Sequence, residues 1–209
     1  MVPTILNLAG APLHPYLEGK PMFGENAKID RKYAFAARDR ADDMFEMSRS
    51  VCDGRYIYIR HFMPHLPYVQ PGYIFSDVKE SYRELRRLHQ AGETDVIQEA
   101  MWKAKPIEEL YDLENDPQEV HNLAGDPSYA AVKKQLSGEM NRWMIEHSDL
   151  GLLPESEYMR RSGGSAPYSY ARNSGDYAVE GILAAAESVG RAGEAELLPG
   201  LKDSDSGVR

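Results

Sequence analysis

Near the amino end, Ile5, Leu6 and Leu8 follow Pro3, and Gly10 and Pro12 stop the run, which predicts one short helix. A helix of this length is marginal alone, and no apolar partner lies near it in sequence. Between Tyr33 and Asp39, small and aromatic residues nearly alternate, the pattern of a strand that runs into a polar loop holding Arg38, Asp39, Arg40, Asp42 and Asp43. Ser48 to Val51 and Arg55 to His61 alternate likewise, and Asp53-Gly54 between them predicts an antiparallel hairpin with positive φ in its turn. From His61 to Tyr73, Pro64, Pro67 and Pro71 each remove a backbone donor, so this stretch reads as an ordered surface crossing.

Further on, Ser76 or Asp77 is placed to cap a helix whose apolar positions Val78, Tyr82, Leu85 and Leu88 recur at three- and four-residue steps and end near Gly92. A second helical stretch with Val96, Ile97, Ala100 and Met101 stops before Pro106. Leu110, Tyr111 and Leu113 suit a short strand, and Asn115-Asp116-Pro117 turns the chain. Asp126 and Pro127 open the longest pattern, with Tyr129, Val132, Leu136, Met140 and Trp143 down one helical face that needs a sheet to cover it. Beyond Leu153-Pro154 the composition loosens around Ser162-Gly163-Gly164-Ser165, so the compact part is expected to end near residue 160. Two alanine- and leucine-rich helices, 178–190 and 193–201, follow. The fold class expected is α+β: a small antiparallel sheet of about four strands, packed by the helix over 127–147 and followed by an α-helical tail.

Composition narrows the function classes. The chain has 209 residues, 42% of them hydrophobic, enough to fill a modest core. Its 33 acidic and 24 basic side chains give a formal charge of -9, which repels phosphate backbones and argues against nucleic acid as a partner. A single cysteine, Cys52, excludes an internal disulfide and any multi-cysteine zinc site. No apolar run is long enough to span a bilayer, and Met1-Val2-Pro3-Thr4 lacks the basic start of an export signal.

The common catalytic signatures are missing from the chain. No GxSxG elbow, Walker loop or GxGxxG occurs, and no two of His14, His61, His65, His89, His121 and His147 sit at zinc-ligand spacing on one helix. His61 and His65 read as loop histidines with surface hydrogen bonds rather than substrate contacts. Cys52 reads as an ordinary strand residue. Asp39, Asp42 and Asp43 raise the question of calcium, but their spacing fits no calcium loop, and with Arg38 and Arg40 interleaved they read as a self-neutralising polar loop. Met44, Phe45 and Met47 read as core packing.

One string carries a family resemblance. Glu109-Leu110-Tyr111-Asp112-Leu113-Glu114-Asn115-Asp116-Pro117-Gln118-Glu119-Val120-His121-Asn122-Leu123-Ala124 resembles the ELYDL..DP.E..NLA signature near the C-terminus of type I sulfatases, members of the alkaline-phosphatase superfamily. Pro3-Thr4-Ile5-Leu6-Asn7-Leu8-Ala9-Gly10 resembles the helix that follows the catalytic half, and Gly19-Lys20 the turn after it. Arg38-Asp39-Arg40, Arg49-Ser50-Val51 and Arg55 to Arg60 resemble the bacterial branch related to heparan N-sulfatases, and residues 194–209 resemble the first part of a HEAT repeat.

The resemblance implies an organisation and a chemistry. Residues 1–19 would end the catalytic α/β domain, 20–160 form the C-terminal α+β subdomain, 161–192 a linker and helix, and 193–209 a partial HEAT-like repeat. It further implies a sulfatase whose formylglycine and calcium belong to the complete enzyme and not to this fragment, so no catalytic or metal-ligating residue is expected here. Cys52, in Cys52-Asp53-Gly54-Arg55-Tyr56, departs from the CxPSR-type motif that is converted to formylglycine. The expected partners are the missing N-terminal catalytic domain and a sulfated glycan or small molecule; the expected location is periplasmic or extracellular. Arg38, Asp39 and Arg40 are the candidate substrate-binding residues, because guanidinium forks match anionic oxygens and strand-end loops are where substrates are gripped. A phosphodiesterase or phosphonate hydrolase of the same superfamily would share the metal site, and a helical-repeat interaction protein would explain the tail; activity on phosphate diesters, or further repeats after Arg209, would favour one or the other.

Overall fold

Period-two alternation places Arg49 and Val51 on one face of a strand, and the same rule places Tyr58 and Arg60 on the same face of the next. The computed structural model describes residues 1–27, 31–41, 43–70 and 74–209, without the side chains of residues 74 and 75. Strands β1 (Ala34–Arg38), β2 (Ser48–Cys52), β3 (Tyr56–His61) and β4 (Glu108–Asp112) form one sheet in the order β1-β2-β3-β4. Strand β3 runs antiparallel to both β2 and β4, with Val51 opposite Tyr58 and Tyr58 opposite Leu110. That row is fully buried and forms the middle of the core.

The hairpin between β2 and β3 turns one residue later than the sequence suggests. Only Gly54 of its loop takes a positive φ, 102°, while Asp53 stays in line with β2 and its Oδ1 accepts from the backbone N–H groups of Arg55 and Tyr56. A glycine first in a two-residue loop suits the twist of the flanking strands, so Gly54-Arg55 is the loop and Asp53 closes it.

Asp126 accepts from the Ser128 N–H and starts a 3-10 turn at Pro127, which leads into helix α5 (Ala130–Glu146). Leu136, Met140 and Met144, one turn apart, are buried against β2 and β3, and Trp143 stacks on Phe35 of β1 with ring centroids 5.0 Å apart. Each such side chain withdrawn from water stabilises the fold by about 1.5–3 kcal/mol. Helix α5 therefore covers one face of the sheet, as its apolar stripe predicts.

Helices α2 (Ile74–Val78), α3 (Glu80–Ala91) and α4 (Val96–Ala100) lie between β3 and β4. Ser76 and Asp77 are not a cap: both sit inside α2 and bind the Arg86 guanidinium, while α3 begins at Glu80 and ends at Gly92 in the left-handed conformation. Helix α4 has a capping box between Asp95 and Gln98. The proline-rich crossing can be followed to Gln70; Pro71 and Tyr73 lie outside the described residues.

The described residues cluster into two units, 1–34 and 35–209. In the first, helix α1 (Val2–Leu8) finds a polar rather than an apolar partner: Asn7 donates to the Phe23 carbonyl at 2.7 Å, and Thr4 Oγ1 accepts from the Met22 N–H at 3.0 Å. In the second, residues past 160 share the unit with the sheet. Helices α6 (Glu155–Ser162), α7 (Pro167–Asn173) and α8 (Val179–Ser188) bury Tyr170, Val179, Ile182 and Leu183, with Tyr177 between α7 and α8. The helix expected over 193–201 is reduced to α9 (Glu194–Leu197) and a 3-10 turn at Gly200–Lys202, because Pro199 interrupts it.

Candidate functional site

The loop after β1 is organised by an arginine that sequence reasoning did not single out. The Arg49 side chain is completely buried, and its guanidinium binds two carboxylates. Nε and Nη2 grip Asp149 at 2.6 and 3.0 Å, while Nη1 reaches Asp39 at 2.8 Å and the Ser48 carbonyl at 2.7 Å. Asp149 is delivered by the end of α5, where Ser148 takes φ 51° and reverses the chain. Burial works against the Arg49 charge, but the two carboxylates outweigh it and hold the guanidinium above its ordinary range. For Asp39 the balance is reversed: burial raises its carboxyl above 3.8 despite Arg49.

Gly151 closes this cluster. A methyl group at its Cα would overlap the Arg49 guanidinium and lie 2.5 Å from Asp39 Oδ2, so a larger residue would have to displace these side chains.

Of the three candidate substrate-binding residues, Asp39 is thus an anchor for Arg49. Arg40 pairs with Glu155 at 2.9 Å, both side chains about half exposed. Arg38 donates to the Met44 thioether at 3.7 Å and points to a different part of the surface from Arg40. Asp39 and Arg40 border a cavity of about 910 Å³ whose apolar lining includes Met47, Met63, Leu153, Pro154 and Met159. Phe45 is 58% exposed at the edge of this cavity, so of the Met44, Phe45 and Met47 group only Met44 is core. Asp42 lies outside the described residues.

A second cavity, about 1040 Å³, lies on the sheet face that α5 leaves open, and Arg38 lines it. His61, expected to be a surface loop histidine, is instead the buried last residue of β3 and faces Glu109 with Nε2 3.1 Å from Oε1. Tyr68 also donates to Glu109, and the Tyr111 hydroxyl donates to its other oxygen at 3.2 Å. Burial, reinforced by Glu109, pushes the Tyr111 phenol up.

The signature string forms the closing edge of the sheet. Asn122 Oδ1 accepts from the Leu110 and Ala124 N–H groups, and Nδ2 donates to the Glu108 carbonyl, so one side-chain amide lies along β4 as a peptide group would. Leu123 adds a backbone bond to Leu110. Asp116 holds the preceding turn by accepting from the His121 and Val120 N–H groups, which lower its pKa.

Among the described residues no three His, Cys, Asp or Glu side chains converge as a metal would require. Cys52, on β2, accepts through Sγ from the Gly54 N–H.

Comparison with known proteins finds similarity to sulfatases. The chain is 34% identical over 163 residues to an ulvan-active sulfatase of Formosa agariphila, and 28% identical over 158 residues to a second ulvan-active sulfatase of that organism. This segment is similar to part of a sulfatase. The matches cover 76% and 72% of this chain but only 27% and 29% of the relatives, so the chain spans little more than a quarter of their length. A solved 2-O GAG sulfatase is similar over 71% of this chain and 24% of its own, with 18% identity and a TM-score of 0.44. No family model matches the chain.

Proposed function

We propose that this sulfatase segment forms one wall of the substrate cleft in an enzyme that hydrolyses sulfate esters of a polysaccharide, with the nucleophile and metal supplied by a catalytic portion elsewhere. The observation that carries the reading is the 34% identity to an ulvan-active sulfatase, which makes ulvan the first substrate to test. In that wall the loop after β1 contributes Arg40, held in place through Asp39. Arg40 lines the 910 Å³ cavity together with Met47, Met63 and Met159, and its exposed pairing with Glu155 is worth under about 1 kcal/mol, so an anionic oxygen can replace Glu155. A guanidinium beside apolar side chains suits a sulfated sugar ring, charged at one edge and apolar on its face.

Calcium and formylglycine belong, on this reading, to the catalytic portion. Periplasmic or extracellular action fits a polysaccharide substrate, and no described helix is long and apolar enough to cross a membrane.

The test is sulfate release from ulvan by the complete polypeptide that carries this segment. Release is expected, and Arg40→Ala should lower kcat/KM by roughly tenfold, the cost of one charge-assisted contact. Cleavage of aryl phosphate diesters with sulfate esters left intact would overturn the reading. Unchanged specificity constants for Arg40→Ala on every sulfated substrate would remove Arg40 from it.

A further inference from the structure

Helix α6 spans Glu155–Ser162, and its two sides face different things. Glu155, Tyr158 and Met159, three and four residues apart, line the 910 Å³ cavity beside Arg40. Glu157 and Arg161, also four apart, lie on the other side of the helix and pair with each other at 2.7 Å. A helix this short is marginal by itself. Ser162 is the one residue of α6 that is buried, and its hydroxyl bonds the Tyr158 carbonyl, so no fully buried apolar side chain anchors the helix.

The side of α6 turned away from the cavity is held by residues 203–209. Arg161 is 10% exposed, and its guanidinium grips Asp205 through Nη2 at 2.5 Å and Nη1 at 3.2 Å. Nη2 also donates to Ser206 Oγ at 2.8 Å, and the Ser206 hydroxyl donates to Glu157. The segment is curled to reach them: Asp203 accepts from the Asp205 N–H at 2.8 Å, and Asp205 from the Gly207 N–H at 2.7 Å, so each aspartate shapes the turn that follows it. Gly207 then comes so close to the core that a methyl group there would lie 2.5 Å from Leu153 Cδ2 and 3.0 Å from Ile182 Cδ1. Leu153 lines the same cavity as α6.

We propose that Asp205 is a positioning residue for the cavity at Arg40: by clamping Arg161 it fixes α6, and with it the wall that carries Glu155, Tyr158 and Met159. This rests on the function proposed above and adds that a segment outside the cavity sets how tightly the saccharide is held. Asp205 does not line the cavity, so it acts through the helix. A shift of α6 moves Glu155 relative to Arg40, and so changes how the guanidinium meets an anionic oxygen.

The variants Asp205→Asn and Arg161→Gln, each made in the complete polypeptide that carries this segment, test the clamp. Amide hydrogen exchange over residues 155–162 should accelerate roughly tenfold in both, the effect of losing one charge-assisted bond, while exchange over residues 130–146 keeps the parent rate. KM for sulfate release from ulvan should rise with kcat unchanged, because a wall that binds ground state and transition state alike alters KM only. A substitution that merely weakened the fold would do the reverse, lowering apparent kcat through the folded fraction and leaving KM in place. Unchanged exchange in α6, equal acceleration in α5, or a loss of kcat at the parent KM would overturn the proposal. If the parent leaves ulvan intact, the function proposed above fails, and exchange in α6 alone decides whether the clamp exists.

Discussion

Replacing Arg49 by methionine tests whether the loop after β1 is held by a buried ion cluster. The arginine stem and the methionine side chain are similar in length, so little packing is lost, and the result reports on charge. Asp149 is 12% exposed and loses its bidentate partner, whereas Asp39 is 44% exposed and can turn to water. The cost therefore falls almost wholly on Asp149, and stranding a buried carboxylate in this way destabilises by about 3–5 kcal/mol. Asp39→Asn should cost no more than about 1 kcal/mol. If the arithmetic is right, Arg49→Met combined with Asp149→Leu should recover much of the loss, because an apolar pair replaces an ion pair without leaving a charge behind. Urea unfolding followed by tryptophan fluorescence, with Trp143 stacked on β1, reads all three variants. An Arg49→Met variant within 1 kcal/mol of the parent, or a double variant no better than the single, would refute the reasoning.

Three further outcomes follow from neighbouring features. Gly151→Ala should destabilise by about 1–3 kcal/mol in the same urea assay, since its methyl would force the Arg49 and Asp39 side chains apart, and it should cost far less in an Arg49→Met background. Asn122→Ala should cost about 1–3 kcal/mol, because the Leu110 N–H then loses its acceptor; amide hydrogen exchange should accelerate at Leu110 and Ala124. The Arg55 guanidinium holds Asp112 down from 3.8 to about 2, so its contribution to stability is complete above pH 4 and is lost as pH falls from there through 2. Acid unfolding of Arg55→Gln should accordingly begin at higher pH than that of the parent, and coincident curves would contradict the assignment.

How far the sequence was legible depended on whether a residue's role was set by its neighbours in the chain. The strands, the hairpin and the Asp126-Pro127 helix start were legible because alternation, capping and turn chemistry are local. Arg49 and Arg60 were not, because a charged side chain reads as solvent-facing unless its partners are known. Period two did place them beside Val51 and Tyr58, on the inward face, and that was the available signal. His61 was misjudged because its carboxylate partner lies 48 residues on. At the loop, sequence identified Arg38, Asp39 and Arg40 as a group, while the structure divides them among two cavities and an anchor, a division set by Asp149 and Glu155 from beyond α5.

Arg60 sits fully buried in β3 and donates through Nη2 to the carbonyls of Glu187 and Val189, at the end of α8, and through Nη1 to those of His61 and Ile107. Those acceptors come from both sides of the glycine-rich stretch at which composition alone would divide the chain. A shortened protein ending at residue 160 would keep the cation and discard half of its oxygen cage. What looks in the sequence like a dispensable extension is the counterpart that lets a positive charge live inside the sheet.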